Sequence, residues 1–403
     1  MKKIISVLTG LALVAGAAMA DGITFGSWGR GLWNVAANSG DDVVTDMHQS
    51  WGGDAPRTGI SVSGSTENVG FAVDMFANGA SGIDLGDNAL IWVKPIEQIK
   101  IVAGRKDQNE LRGDAAFGLW NWDRIGAVNA MGLEGWTFPE VFDGNGVAVV
   151  AYPIDGLTVG AGIPLKLSNP NPKDLSNPGA TTTLEDTYAH GANYAAAYAI
   201  DGVGTIKAAY MTKPKAFDSD GKAKDYGVIA AAFDLTMIDG LYASVGAQIP
   251  TAHVFTSEIV LTASDVPTVV NAYARYSLDA LAVHLAVGTK LNTKDTNKDT
   301  IEDRLDGNVG FAIGAGADYS LDNGIGFFGD VRYANGVYMK NTSADKSDCL
   351  TLGLGVEKNF SNGKIGIAFE GATNGNAKNG IGRYTYEDNA FAWEIPVKVE
   401  YWF

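Results

Sequence analysis

The residue types best suited to chemistry are not arranged for catalysis in this chain. Four histidines, His48, His190, His253 and His284, show no metal-ligand spacing, and no Ser, His and acid can be tied together from chain order. No catalytic residue, resident metal or cofactor is expected, and the chain is read as non-enzymatic. Asp295, Asn297, Asp299, Asp303 and Asp306 fall at positions 1, 3, 5, 9 and 12 of a calcium-loop spacing. Thr300 stands where that loop needs a glycine and no Glu closes it, so the run reads as a solvated loop.

A denser constellation lies in the longest stretch without strand pattern, Arg105 to Asn145. It holds Arg105, Lys106, Asp107, Glu110, Arg112, Asp114, Asp123 and Arg124 together with Phe117, Trp120, Trp122, Trp136 and Phe138. Long patternless loops usually have a purpose. Charges of both signs across a narrow passage would set a transverse field that selects solutes by charge and dipole. The indoles could stack on the apolar face of a sugar, but packing of the loop against a wall is the plainer reading of them.

The elements that must position these residues follow from periodicity. From residue 22 onward the chain resolves into alternating segments of about ten residues, the length at which a tilted strand crosses a bilayer. The clearest are 69–76, 146–152, 203–211, 281–290, 324–333, 363–370 and 391–403. In 281–290, Leu281, Val283, Leu285 and Val287 share one face while Ala282, His284, Ala286, Gly288 and Lys290 share the other. That register places Arg30, Asp74, Lys207, Arg275, Asp330, Arg332, Glu370, Glu394, Lys398 and Glu400 on an inner, wet face.

Connections alternate between short and long. The short ones share a chemistry: Tyr152-Pro-Ile-Asp-Gly-Leu157, Tyr198-Ala-Ile-Asp-Gly-Val203, Met237-Ile-Asp-Gly-Leu241, Tyr276-Ser-Leu-Asp-Ala-Leu281 and Tyr319-Ser-Leu-Asp-Asn-Gly324. Asp-Gly and Asn-Gly supply the positive φ of tight hairpins, and a Tyr ahead of the turn suits a bilayer boundary. The long ones are 38–56, 78–87, 105–145, 166–185, 213–224, 250–266, 291–306, 335–347 and 371–389. Nine long connections joined with eight short turns predict about 18 strands, with 16 also open, in a transmembrane antiparallel up-and-down β-barrel with both ends on the short-turn side.

Composition agrees. The chain of 403 residues is acidic, at −16, so nucleic acid is excluded as a partner. One cysteine, Cys349, excludes an internal disulfide framework, and no linker or charge block divides the chain. Residues 1–20 begin with Lys2 and Lys3, continue through about fourteen apolar residues and end on Ala18-Met-Ala20. They read as a secretory signal cleaved before Asp21, too short to span a membrane. The organisation expected is a signal peptide over 1–20 and a barrel over 21–403.

The last segment, FAWEIPVKVEYWF, places Phe391, Trp393, Ile395, Val397, Val399, Tyr401 and Phe403 on one uninterrupted apolar face. Pro396 removes one ladder donor, so a bulge or a pairing position that does not need its N–H is expected there. Alternate hydrophobics ending in Tyr401-x-Phe403 resemble the carboxyl-terminal strand of bacterial outer-membrane porins, where such an ending is the signal read by the barrel-assembly machinery. The opening Phe25-Gly-Ser-Trp-Gly-Arg-Gly31 is similar to the first strand of sugar-specific porins with eighteen strands. The stretch around 105–145 follows the fifth predicted strand and so resembles the loop that general porins fold into the lumen. The resemblance implies an outer-membrane diffusion porin, homotrimeric, embedded in outer-membrane lipid and passing small hydrophilic solutes such as ions and sugars. An adhesin-like surface barrel with a closed lumen is the alternative, and a soluble secreted β-protein the remoter one.

Overall fold

The computed structural model describes residues 22–39, 42–48, 56–78, 83–106, 144–164, 192–212, 216–217, 223–224, 227–250, 268–291, 309–335, 338, 348–373 and 391–403. Alternation of apolar with small or polar residues drives them into strands, because each strand can then turn one face outward and one inward. In chain order these are β1 (Ile23–Ser39), β2 (Asp42–His48), β3 (Arg57–Ser65), β4 (Val69–Asn78), β5 (Ile83–Ile96), β6 (Ile99–Lys106) and β7 (Gly144–Ile154). There follow β8 (Leu157–Pro164), β9 (Asn193–Ile200), β10 (Gly204–Thr212), β11 (Ala216–Phe217), β12 (Ala223–Lys224), β13 (Gly227–Leu235) and β14 (Leu241–Pro250). The last seven are β15 (Thr268–Leu278), β16 (Leu281–Leu291), β17 (Gly310–Ser320), β18 (Ile325–Ala334), β19 (Cys349–Phe360), β20 (Gly363–Thr373) and β21 (Phe391–Trp402).

All the pairings are antiparallel, and the ring closes where the first strand meets the last: Trp28 opposes Trp402 and Leu32 opposes Lys398. Eighteen strands form the closed ring. The other three are β2, which pairs only with the upper part of β1, and β11 with β12, which form a separate two-stranded ladder. No helix among the described residues is long and apolar enough to cross a membrane. Closure removes the exposed edges that a sheet this wide would otherwise carry.

Eight short turns join the strands in hairpins at one end of the ring, where Ile23 and Phe403 also lie. Five of them have the geometry expected from their sequence. Gly156, Gly202, Gly240 and Gly324 have φ of 77°, 68°, 74° and 82°, and Asp279 takes φ 49° where the sequence offers no glycine. The nine longer links leave their strands at the opposite end.

Three local readings change. The 38–56 stretch, read as a loop, contains β2, which pairs with the part of β1 that also pairs with β21. The 78–87 stretch is shorter than read because β5 starts at Ile83, and 213–224 contains the small β11–β12 ladder. At Pro396 the missing donor is absorbed twice. A bulge shifts β1 between Asn34 and Ala36 opposite it, and its pairing with β20 lapses between Ile367–Val397 and Glu370–Glu394. This agrees with the bulge expected from the sequence.

Candidate functional site

The two faces of the ring differ in chemistry. Outward positions keep large apolar side chains exposed, among them Ile206, Leu285, Ile313, Phe327, Leu354 and Ile367. Inward positions carry the polar and charged groups, and many are buried, including Asp330, Arg332, Glu357, Glu370, Glu394 and Lys398. Outside water an unpartnered charge costs several kcal/mol. The inner wall is therefore the place where this chain concentrates its chemistry, and its side chains must be fitted to one another.

Glycine makes the room. Asp330 is flanked across the sheet by Gly316 and Gly353, Glu357 by Gly326 and Gly366, and Arg332 by Gly314 on one side. A Cβ on Gly316 would stand 2.8 Å from that of Asp330. With hydrogens beside them, the charged side chains can lie along the wall and reach partners on other strands.

Two networks result. Near the closing seam, Glu400 gathers Arg30 at 2.5 Å, Lys398 at 3.1 Å and Lys364 at 3.4 Å, and Lys364 also approaches Glu357 at 3.5 Å. Asn359 donates to Glu357 at 2.9 Å. Above it on the same wall, Asn34 donates to Glu394 at 3.0 Å, and Arg332 pairs with Asp330 at 2.9 Å. Cations gather around Glu400 although the chain as a whole is acidic, so net charge is a poor guide to the charge of this wall.

On the far side, from β10 to β17, Lys207 pairs with Asp234 at 2.5 Å, and Ser244 donates to the same carboxylate at 2.8 Å. His284 is hydrogen-bonded through Nδ1 to the Tyr273 hydroxyl (2.8 Å) and through Nε2 to Asp318 (2.7 Å). A hydrogen on Nε2 alone lets the ring donate to the carboxylate and accept from the phenol. The arrangement has the parts of a proton relay but both ring nitrogens are already engaged within the wall. Among the described residues no three His, Cys, Asp or Glu side chains are placed to hold a metal ion.

Aromatic rings add a third feature. The Arg57 guanidinium lies 3.6 Å from the centroid of Phe76 and 5.5 Å from that of Trp28, while Lys94 and Lys100 each lie 5.7 Å from that of Trp92. Trp28 lies over Gly59, Trp92 over Gly70 and Phe328 over Gly355, each on the directly paired neighbouring strand.

Of the residues singled out from the sequence, Arg30, Asp74, Lys207, Arg275, Asp330, Arg332, Glu370, Glu394 and Lys398 all have inward register. Asp74 accepts from the Asn88 backbone at 3.0 Å and side chain at 2.7 Å. Arg105 and Lys106 end β6, which is the fifth strand of the closed ring. Lys106 has the inward register of Val102, whereas Arg105 shares that of Ile101 and Ala103 and faces outward, exposed. Asp107, Glu110, Arg112, Asp114, Trp120, Trp122, Asp123 and Arg124 lie outside the described residues, as do the 1–20 segment and the calcium-like run from Asp295. Tyr401 and Phe403 stand at the seam, ring centroids 5.7 Å apart, with the Phe403 N–H donating to the Ser27 carbonyl at 2.8 Å.

Tyr273, Asp318, Asp234, Glu357 and Arg57 were not singled out, and His284 was placed on the inner face without partners. Alternation places Tyr273 and His284 on the inner face, but nothing in a single sequence marks which of its positions meet across strands; that is set by register.

No family model matches the sequence, and no curated protein is similar to it. Solved structures are similar in fold. They include the anion-selective porin from Comamonas acidovorans, at 12% identity and TM-score 0.50, covering 94% of this chain and 100% of that one. OccK2 of Pseudomonas aeruginosa in complex with glucuronate matches at 12% identity and TM-score 0.52, over 94% and 98%. The outer membrane protein OpdK of the same organism matches at 11% identity and TM-score 0.52, over 95% and 99%. The fold of this chain is that of these outer-membrane porins.

Proposed function

We propose that this chain is an outer-membrane porin through which small hydrophilic solutes, ions and sugars among them, diffuse passively. One observation carries the reading: a closed ring of eighteen strands with apolar side chains outward and charged, hydrogen-bonded side chains inward. Rings of sixteen to eighteen strands are wide enough to hold water, whereas about eight strands fill their own interior. An outward apolar surface is stable against lipid and costly against water. The likeness in fold to porins supports the same reading.

In this account residues 1–20 direct export and are removed before Asp21, Tyr401 and Phe403 form the ending read by the barrel-assembly machinery, and the mature barrel assembles as a homotrimer. The 105–145 stretch, with Lys106 at its inward-facing start, folds into the passage and narrows it. Purified, folded protein added to a planar bilayer should give stepwise conductance. Deleting 107–140 should raise the conductance or relax its selectivity. A folded protein that never conducts sinks the proposal.

A further inference from the structure

Tyr338, in the connection between β18 and β19, lies inside the ring on the wall formed by β15, β16 and β17. Two inward-facing glycines receive it. A Cβ on Gly288 would stand 2.8 Å from the Tyr338 hydroxyl oxygen and one on Gly310 2.9 Å from the Tyr338 Cα. Neither glycine has a positive φ, so the backbone does not require glycine at either place. The space they leave is what the tyrosine needs.

Its hold is specific. Lys290 donates through Nζ to the Tyr338 carbonyl at 2.9 Å and sits 4.3 Å from the ring centroid. Asn335 accepts from the Tyr338 N–H at 3.0 Å and from the Phe311 N–H at 3.0 Å, and donates to the Val309 carbonyl at 2.9 Å. Lys290, an inward lysine that could otherwise face solutes, is thus committed to positioning Tyr338. Tyr338 as a whole is only 7% exposed. It therefore acts by the volume it takes up, not by offering a surface.

In strand order β16 and β17 lie almost half the circumference away from β6 and β7, between which the 107–143 segment runs. We propose that Tyr338 is a size-determining residue of the passage, an inward wedge seated on the Gly288–Gly310 notch, across the ring from β6 and β7. The inference rests on the channel reading above. It assigns part of the size limit to the β18–β19 connection.

Single-channel conductance and liposome swelling with sugars of rising size test it, in protein whose folding is verified by heat-modifiable gel migration. Tyr338→Ala should raise the single-channel conductance and should admit larger sugars. Tyr338→Phe should behave as wild type. Gly288→Leu fills the notch, pushes the ring toward the axis and should lower conductance, which gives an independent readout if the alanine variant folds poorly. A conducting wild type with neither conductance nor size limit changed in Tyr338→Ala or Gly288→Leu overturns the inference and leaves the channel reading standing. A folded wild type that never conducts overturns both.

Discussion

Glu400 shows how much of the inner wall depends on one side chain. Arg30, Lys364 and Lys398 converge on its carboxylate, and Lys398 is 1% exposed. Glu400→Gln keeps the shape and removes the charge on which the three cations converge. The loss expected is about 3 kcal/mol, the cost of removing one partner from a buried ion pair. The temperature at which the folded gel band converts to the unfolded one should fall, and an unchanged temperature would show that water in the passage screens these charges. The inward register of Arg30, Glu394 and Lys398 was legible from alternation alone. Their partners were not: an ion pair between Arg30 and Glu400 joins the two ends of the chain, and only closure brings them together. The Tyr273–His284–Asp318 set was hidden for the same reason, since it draws on three strands and a sheet register that no local pattern states.

At the scale of strands and turns the sequence was most readable, because period two and turn chemistry are both local. The Asp-Gly turns adopt the left-handed geometry their composition demands. Asp279 is the exception that tests the rule, a residue with a Cβ held at φ 49°. Asp279→Gly should be neutral or slightly stabilising, while Asp279→Val should cost about 1–2 kcal/mol because a β-branched residue resists that conformation; urea titration of refolded protein in detergent would measure both. Glycine inside strands had no local explanation. Register supplies one: Gly59, Gly70 and Gly355 lie under Trp28, Trp92 and Phe328 on the adjacent strand. Gly355→Val would force Phe328 off its seat and should destabilise the barrel by about 1–3 kcal/mol, in the range of overpacked sites. The β2 extension was missed because Val43 and Val44 are adjacent, so Asp42–His48 carries little alternation and sits in an otherwise polar stretch.

For the molecule as a whole, what matters is that the ring closes and what fills it. Closure is made at the seam, where the Phe403 backbone exchanges two hydrogen bonds with Ser27, at 2.8 and 3.2 Å. Phe403 itself is 74% exposed, so its side chain adds little to packing within one chain, and under the proposal above it serves recognition during assembly. Phe403→Ala should accordingly lower the amount of folded barrel recovered from outer membranes while leaving the melting behaviour of the protein that does assemble unchanged. Strand number and the position of the longest connection after the fifth strand of the ring could be read from the alternation of short and long links. The charge pattern of the inner surface could not, because it depends on which charges neutralise one another. Conductance in a planar bilayer, measured on purified and demonstrably folded protein, tests the central claim most directly. Stepwise openings are expected, scaling with salt concentration and enlarged when 107–140 is deleted. A folded wild-type barrel that inserts and passes no current would contradict it.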